Sequence, residues 1–268
     1  MRLLYMGSGA SEGVPCPFCR CAACEAARQG GGRLVRTRSG ALIDGVLKLD
    51  FPPDTPHQAL TLGVSLADLR HMLITHSHED HLDHWLLALP PSQRRHRANR
   101  DLPLHIYGND AVCDLMEPLA DRAVQPLHRL AAFSPVEIAG YRVTPLPARH
   151  KPDEQALNYL IEKGGSSLYY AHDTGMPPDE AIEHLRGANI GLVSMDATKG
   201  VIEQDYDSHM SLRENLRLRD RLLAIGAARP GAIFVANHFS HSGIRPLDEM
   251  ERLADGMLLA YDGMEIEW

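Results

Sequence analysis

The sequence has no apolar run of the roughly eighteen residues that a membrane-spanning helix needs. It also has no excess of positive charge: 27 Lys and Arg stand against 35 Asp and Glu, a net charge of −8 with His neutral. Such an acidic chain is not expected to spread over an extended nucleic-acid backbone. A small phosphorylated substrate stays open, because bound cations would reverse the local charge. The opening MRLLYMGSGASEG has one Arg and a short apolar stretch cut by glycines, too little for a secretory signal. Gly7-Ser8-Gly9 is not followed by the Gly-Lys-Ser/Thr of a phosphate loop and reads as a turn after a first strand. No fixed-period repeat and no low-complexity linker divides the chain. These absences leave a cytoplasmic globular protein, expected as one domain over residues 1–268, long enough to bury a large core.

Cysteine is scarce except in one place. Of five, Cys16, Cys19, Cys21 and Cys24 crowd into nine residues, and Cys113 stands alone on a helical stretch as a small core residue. That crowding at 16–24, in a chain read as cytoplasmic, suits a metal knuckle better than disulfides. Cys19, Cys21 and Cys24 can hold one Zn²⁺ between them but need a fourth ligand, and a local Cys16 is one candidate.

Strand-like and helix-like stretches alternate along the chain. GALIDGVLKLD (40–50) reads as a hairpin turning at Asp44-Gly45. LADLRH reads as a short helix before the buried strand MLIT, and residues 84–91 and 109–122 as helices. NYLIEK and SSLYYAHD form a hairpin across Gly164-Gly165, and SLRENLRLRDRLLAIG a long amphipathic helix. MLLAYDGMEIEW reads as a terminal hairpin. The order fits an α/β (α+β) fold with an αββα sandwich, and pattern alone also admits a doubly wound sheet. SQRRHRANR (92–100) is a basic stretch that reads as a solvated face.

Histidine is abundant, with fifteen residues, and position decides which matter. The run His76-Ser77-His78-Glu79-Asp80-His81 leaves the end of the strand MLIT. Strand C-terminal ends are where α/β folds place their sites. His76 and His78 can point one way from extended chain, and Asp80 and His81 turn back as a helix begins. Imidazole and carboxylate together suit Zn²⁺, Mn²⁺ or Fe²⁺. Three more ligand types stand where other apolar strands run out: His150 after YRVTPLPAR, Asp173 after SSLYYAH and His238 after AIFVAN. Of the rest, His172 beside Asp173 is a candidate pocket residue and His84 a candidate partner for a ligand.

These residues resemble the metallo-β-lactamase superfamily, whose HxHxDH motif is met by His76, His78, Asp80 and His81 and whose later ligands match His150, Asp173 and His238. The CRCAAC knuckle at 19–24, NHFSH at 237–241 and YDGMEI at 261–266 resemble more closely the phosphodiesterases of the carbon–phosphorus lyase pathway. PqqB-type relatives share a similar knuckle. The resemblance implies that His76, His78 and His150 hold one divalent ion, that Asp80, His81 and His238 hold another, and that Asp173 bridges them, with a hydroxide between the ions attacking phosphorus. Asp80 thus counts among both the metal ligands and the catalytic groups. It also implies His209, in DSHMSL, as general acid for the leaving oxygen, and Cys19, Cys21, Cys24 and His241 as the ligands of a structural Zn²⁺. The expected function is a phosphodiesterase on a small phosphate ester, cyclic ones included, with two Zn²⁺ or Mn²⁺ ions. The alternatives are a thioester or lactone hydrolase, a tRNase Z-type nuclease, whose extended basic arm has no counterpart in the sequence, and a PqqB-like biosynthetic or binding protein. The relatives commonly dimerise, which leaves a homodimer open.

Overall fold

The computed structural model describes residues 1–88, 103–203 and 207–268. The basic stretch at 92–100, with His96, and the end of the 84–91 segment lie outside the described residues.

Two seven-stranded sheets face each other. The first contains β1 (Arg2–Gly7), β2 (Gly40–Ile43), β3 (Leu47–Leu49), β4 (His71–Leu73), β5 (His105–Gly108) and β6 (Leu127–Arg129). The second contains β7 (Val136–Ile138), β8 (Tyr141–Pro147), β9 (Leu157–Lys163), β10 (Ser166–Ala171), β11 (Ile190–Asp196), β12 (Ala228–Asn237) and β13 (Leu258–Leu259). The last strand, β14 (Glu265–Glu267), returns to the first sheet beside β1. Side chains alternate between two cores, as the pleat dictates. From β1, Leu3 and Tyr5 enter the layer between the sheets, whereas Leu4 and Met6 face the outer helices. From β10, Leu168 and Tyr170 face inward and Tyr169 and Ala171 outward. The strands therefore read as continuous apolar runs because both faces are covered.

The outer layers are helical. Residues of α2 (Thr55–Thr61), α3 (His84–Leu87) and α4 (Asp110–Met116) pack on the first sheet. Those of α5 (Asp179–His184), α6 (Leu212–Ala224) and α7 (Leu247–Leu253) pack on the second, and α1 (Ala22–Gly30) carries the end of the cysteine knuckle. The result is an αββα sandwich, as the element order suggested. Helix α6 starts at a full capping box, in which Ser211 accepts from the Glu214 amide and Glu214 accepts from the Ser211 amide.

The hairpin at 40–49 turns as expected, with φ of +49° at Asp44 and +73° at Gly45, both left-handed as a type I′ turn requires. Two expectations fail. LADLRH forms a turn at Ala67-Asp68 and runs into β4 at His71, and the helix of this region is α2, upstream, where Pro56 supplies the helix-ready φ of a first turn. The terminal segment is not a hairpin: β13 pairs in parallel with β12, and β14 pairs antiparallel with β1 in the other sheet. The Asp262-Gly263 turn does not fold back, because the Asp262 carboxylate accepts from Ser8 Oγ at 2.7 Å and from the Thr37 amide at 2.7 Å. Among the described residues, no helix is long and apolar enough to cross a membrane.

Candidate metal centre

Strand ends deliver the site. Strands β10, β11 and β12 run parallel, and β8 runs with them because it is antiparallel to β9, as β10 is. Their C-terminal ends carry Asp173, Asp196, His238 and His150, while the loop after β4 brings His76 to His81 from the facing sheet. That loop is pinned on both sides. The Phe51 amide donates to His81 O at 2.7 Å, and the Asp83 amide donates to Phe51 O at 2.8 Å. Asp173 and His238 hold φ of +46° and +63°, conformations costing non-glycine residues on the order of 1–3 kcal/mol and typical of functional strand ends.

All seven predicted ligands come together in two groups that share Asp173. In the first group His76 Nε2 lies 2.9 Å from His78 Nδ1, and His150 Nε2 lies 3.0 Å from the same atom. Asp173 Oδ2 is 3.3 Å from His76 Nε2 and 3.4 Å from His150 Nε2. In the second group His81 Nε2 stands 3.2 Å from His238 Nε2 and 3.5 Å from Asp80 Oδ2. Asp173 reaches it through Oδ2, 3.0 Å from His81 Nε2, and Oδ1, 2.9 Å from His238 Nε2. Asp173 Oδ1 is buried yet has no hydrogen-bond partner, although an imidazole nitrogen is so near. Nitrogens and carboxylate oxygens thus aim at common points rather than at each other, and the donor set, rich in imidazole with two carboxylates, fits divalent transition metals.

Four of the imidazole ligands, His76, His81, His150 and His238, are held from behind by residues the sequence reading did not single out. Asp50 Oδ2 accepts from His81 Nδ1 at 2.8 Å, and its Oδ1 accepts from the Thr75 amide at 2.8 Å. Thr75 Oγ1 lies 3.0 Å from His76 Nδ1, Thr198 Oγ1 2.8 Å from His238 Nδ1, and Ser208 O 3.1 Å from His150 Nδ1. Such partners set the tautomer and ring orientation of a ligating imidazole. Glu154 accepts from the Ser77 amide at 2.8 Å and fixes the loop between His76 and His78. Asp196 accepts from His209 Nδ1 at 2.8 Å and is itself fixed by the Thr198 and Met210 amides. His172 does not line the site. It is buried between the sheets, 2.7 Å from Ser194 Oγ, which also accepts from Tyr5. His84 sits beside Trp85 on α3, and no contact with a ligand is among its described interactions.

A second cluster joins three cysteines to His241, three residues beyond His238. Cys19, Cys21, Cys24 and His241 bring one ligand atom each within 4.8 Å of one another. His241 Nδ1 is 3.5 Å from Cys19 Sγ and 3.4 Å from Cys21 Sγ. Sulfur at ~2.3 Å and nitrogen at ~2.1 Å from a tetrahedral zinc stand about 3.6 Å apart, so the spacing suits that ion. Cys16 is not in the group: its amide donates to Cys24 Sγ at 3.3 Å and its carbonyl accepts from the Cys19 amide. Against burial, the Cys24 amide and His241 hold the Cys21 thiol down to about 6, whereas burial pushes Cys24 up to about 12. A Cys24→Ala protein is therefore expected to lose one equivalent of zinc by elemental analysis, and Cys16→Ser to keep it. The reverse pattern would show that Cys16 is the ligand.

The sequence profile of the beta-lactamase superfamily domain matches residues 41–229, well over half of the chain. The chain belongs to the metallo-β-lactamase superfamily. Among solved structures of this superfamily's fold, a diphosphatase of the PhnP family superposes with a TM-score of 0.77 at 25% identity, covering 100% of this chain and 97% of that one. Zn²⁺-bound PqqB from Methylobacterium extorquens superposes with a TM-score of 0.75 at 19% identity over 100% of both chains, a likeness of fold. By sequence, an octanoyltransferase of Porphyromonas gingivalis is 25% identical over 280 residues, 99% of this chain and 51% of that protein. The chain thus spans about half the length of that relative.

In this metallo-β-lactamase site the electrostatics separate the ligands. Burial and the nearby His81 depress His76 to about 4. Burial would also lower His238, but Asp173 and Asp80 outweigh it and raise it to about 10. His81 is likewise raised, because Asp173, Asp50 and Asp80 together overcome its burial. Asp173 itself is held well below the usual carboxylate range, since His238 and His81 outweigh its burial. The second group therefore concentrates negative charge that wants a cation, proton or metal, beside it. His209 is raised too, with Asp196 overcoming burial.

Proposed function

We propose that this chain is a phosphodiesterase of small phosphate esters, cyclic ones included, working with two divalent ions, Zn²⁺ or Mn²⁺. His76, His78 and His150 would hold one ion, and Asp80, His81 and His238 the other, with Asp173 shared. When bound, the ions supply a water acidified to near-neutral pKa and neutralise charge on phosphoryl oxygens. The chain's own residues orient the ligands through Asp50, Thr75 and Thr198 and supply a proton through His209. Cys19, Cys21, Cys24 and His241 would hold a third, structural Zn²⁺ three residues beyond His238.

The observation that carries the reading is His209. Its Nδ1 is fixed on Asp196 at 2.8 Å, its ring lies 4.8 Å from that of His150, and its side chain keeps 17% exposure. Asp196 overcomes burial to raise the pKa of the group, which suits proton donation. A leaving alkoxide needs such a proton, whereas a thiolate, whose acid has a pKa near 8.5, leaves without one. The arrangement thus favours oxygen esters over thioesters. Similarity to a PhnP-family diphosphatase supports phosphorus chemistry.

The test is a panel. Metal-loaded protein is offered a bis-aryl phosphate, a 2′,3′-cyclic nucleotide, a precursor tRNA and an octanoyl thioester, the last prompted by the octanoyltransferase relative. Turnover of the diesters above that of the other two is expected. Thioester hydrolysis with no diesterase activity in either metal would sink the reading.

A further inference from the structure

Helices α1 and α7 leave between them a cleft of about 830 Å³. Its walls are apolar, lined by Leu34, Ile244, Leu247 and Met250 and by the alanines of α1. The cleft exists because α1 presents Ala22, Ala23 and Ala26 where a tight helix pair would carry larger side chains. Its volume falls in the range of small-molecule sites.

Three arginines line it, Arg33, Arg36 and Arg245. In an acidic chain such groups ordinarily meet carboxylates. Among the described residues, none of the three has a carboxylate oxygen within 4.0 Å. Arg33 lies 4.4 Å over the Tyr261 ring, and Arg245 donates only to the Ser242 and Ile244 carbonyls. Arg36 is the deepest, with 8% exposure. Its Nη1 donates to Ser8 Oγ at 2.9 Å and to the Ala260 carbonyl, and its Nε and Nη2 make no described hydrogen bond. Asp262 pulls on it electrostatically but accepts from Ser8 and Thr37 instead. Burial lowers Arg36 only to about 10, so it keeps its charge at neutral pH. A buried cation with two idle donors, opening on an apolar cleft, is built for an anion that arrives with its own apolar body.

We propose that this cleft binds a small amphiphilic anion, an aliphatic chain ending in a carboxylate, with the tail between α1 and α7 and the head on Arg36 and Arg33. The depth of Arg36 argues for a slim chain end rather than for a helix laid across the rims. The guanidinium stacks 4.6 Å over the ring of Phe239, the residue after His238. Occupancy therefore lies one side chain away from the metal centre.

Calorimetric titration of the zinc-loaded protein with decanoate, below its micellar concentration, tests this. One site is expected, with decyltrimethylammonium, the same tail with the opposite charge, binding at least about tenfold more weakly. Ala26→Phe, at an exposed position on α1, fills the cleft and should abolish decanoate binding while leaving zinc content intact. Arg33→Gln, also exposed, should weaken it several-fold and serves even if the Phe variant misfolds. Equal binding of both head groups, decanoate affinity unchanged in Arg33→Gln, or a protein dimer that Ala26→Phe dissociates would overturn the proposal. The last result would make the cleft a contact between two copies of the chain.

Discussion

Asp173→Ala is expected to remove two of three bound metal equivalents and to lower turnover by about 10³-fold or more, because metal ions supply several kcal/mol of transition-state charge stabilisation. The size of the effect follows from where Asp173 sits. It is the one residue common to both ligand groups, with Oδ2 on His76, His150 and His81 and Oδ1 on His238. Without it, five imidazoles face one another around a single carboxylate, Asp80, and each ion loses its most buried negative ligand. Asp173→Asn separates charge from shape. The amide tolerates the left-handed φ of +46° nearly as well as the acid, so the backbone stays in place while the charge goes. Metal loss in the Asn protein would therefore be electrostatic. Elemental analysis after desalting reads both variants, and the zinc proposed for the cysteine cluster serves as the internal reference. A variant that keeps three equivalents and turns over within about tenfold of the parent would remove Asp173 from the site.

The clustering of the candidate ligands was legible because these residues obey a local rule. Strand C-terminal ends carry sites, and His76, His150, Asp173 and His238 each follow an apolar strand. The same rule applied evenly would also have found Asp50, which ends LKLD, and Asp196, which ends GLVSMD. Both are buried carboxylates whose partners, His81 and His209, lie 31 and 13 residues away. Nothing local distinguishes them from the many Asp residues that close a strand at a turn, so only the packed strands reveal their work. The ending was misread for a related reason. Asp262-Gly263 has the composition of a hairpin turn, but the carboxylate is spent on Ser8 and Thr37, and those long-range bonds steer the chain from one sheet into the other. The αββα layering was readable from the order of strand-rich and helical stretches; central strands such as β10 and β11 are buried on both faces, which a doubly wound sheet would require equally. The cleft between α1 and α7 was not, since it depends on which two helices meet.

His209→Ala is expected to lower turnover of a dialkyl or cyclic phosphodiester by about 10²–10⁴-fold, the range for loss of a general acid. On a bis-nitrophenyl phosphate, whose leaving group departs as a stable anion, the loss should be small. The contrast is the diagnostic, because a residue needed only for folding or metal retention would depress both substrates alike. Metal content should stay near that of the parent, for His209 is not among the seven proposed ligands, although it approaches Asp173 Oδ1 at 3.8 Å. Asp196→Asn should reproduce the same leaving-group dependence in weaker form. Asp196 holds Nδ1 of His209 at 2.8 Å and favours its charged form, so the amide leaves the ring less firmly aimed and less often protonated. Since Asp196 also accepts from the Thr198 hydroxyl, which in turn contacts His238 Nδ1 at 2.8 Å, some metal loss in that variant is tolerable to the argument. Equal losses on both substrates in His209→Ala are not. They would move His209 from proton donor to packing residue, and the preference for oxygen esters would lose its structural basis.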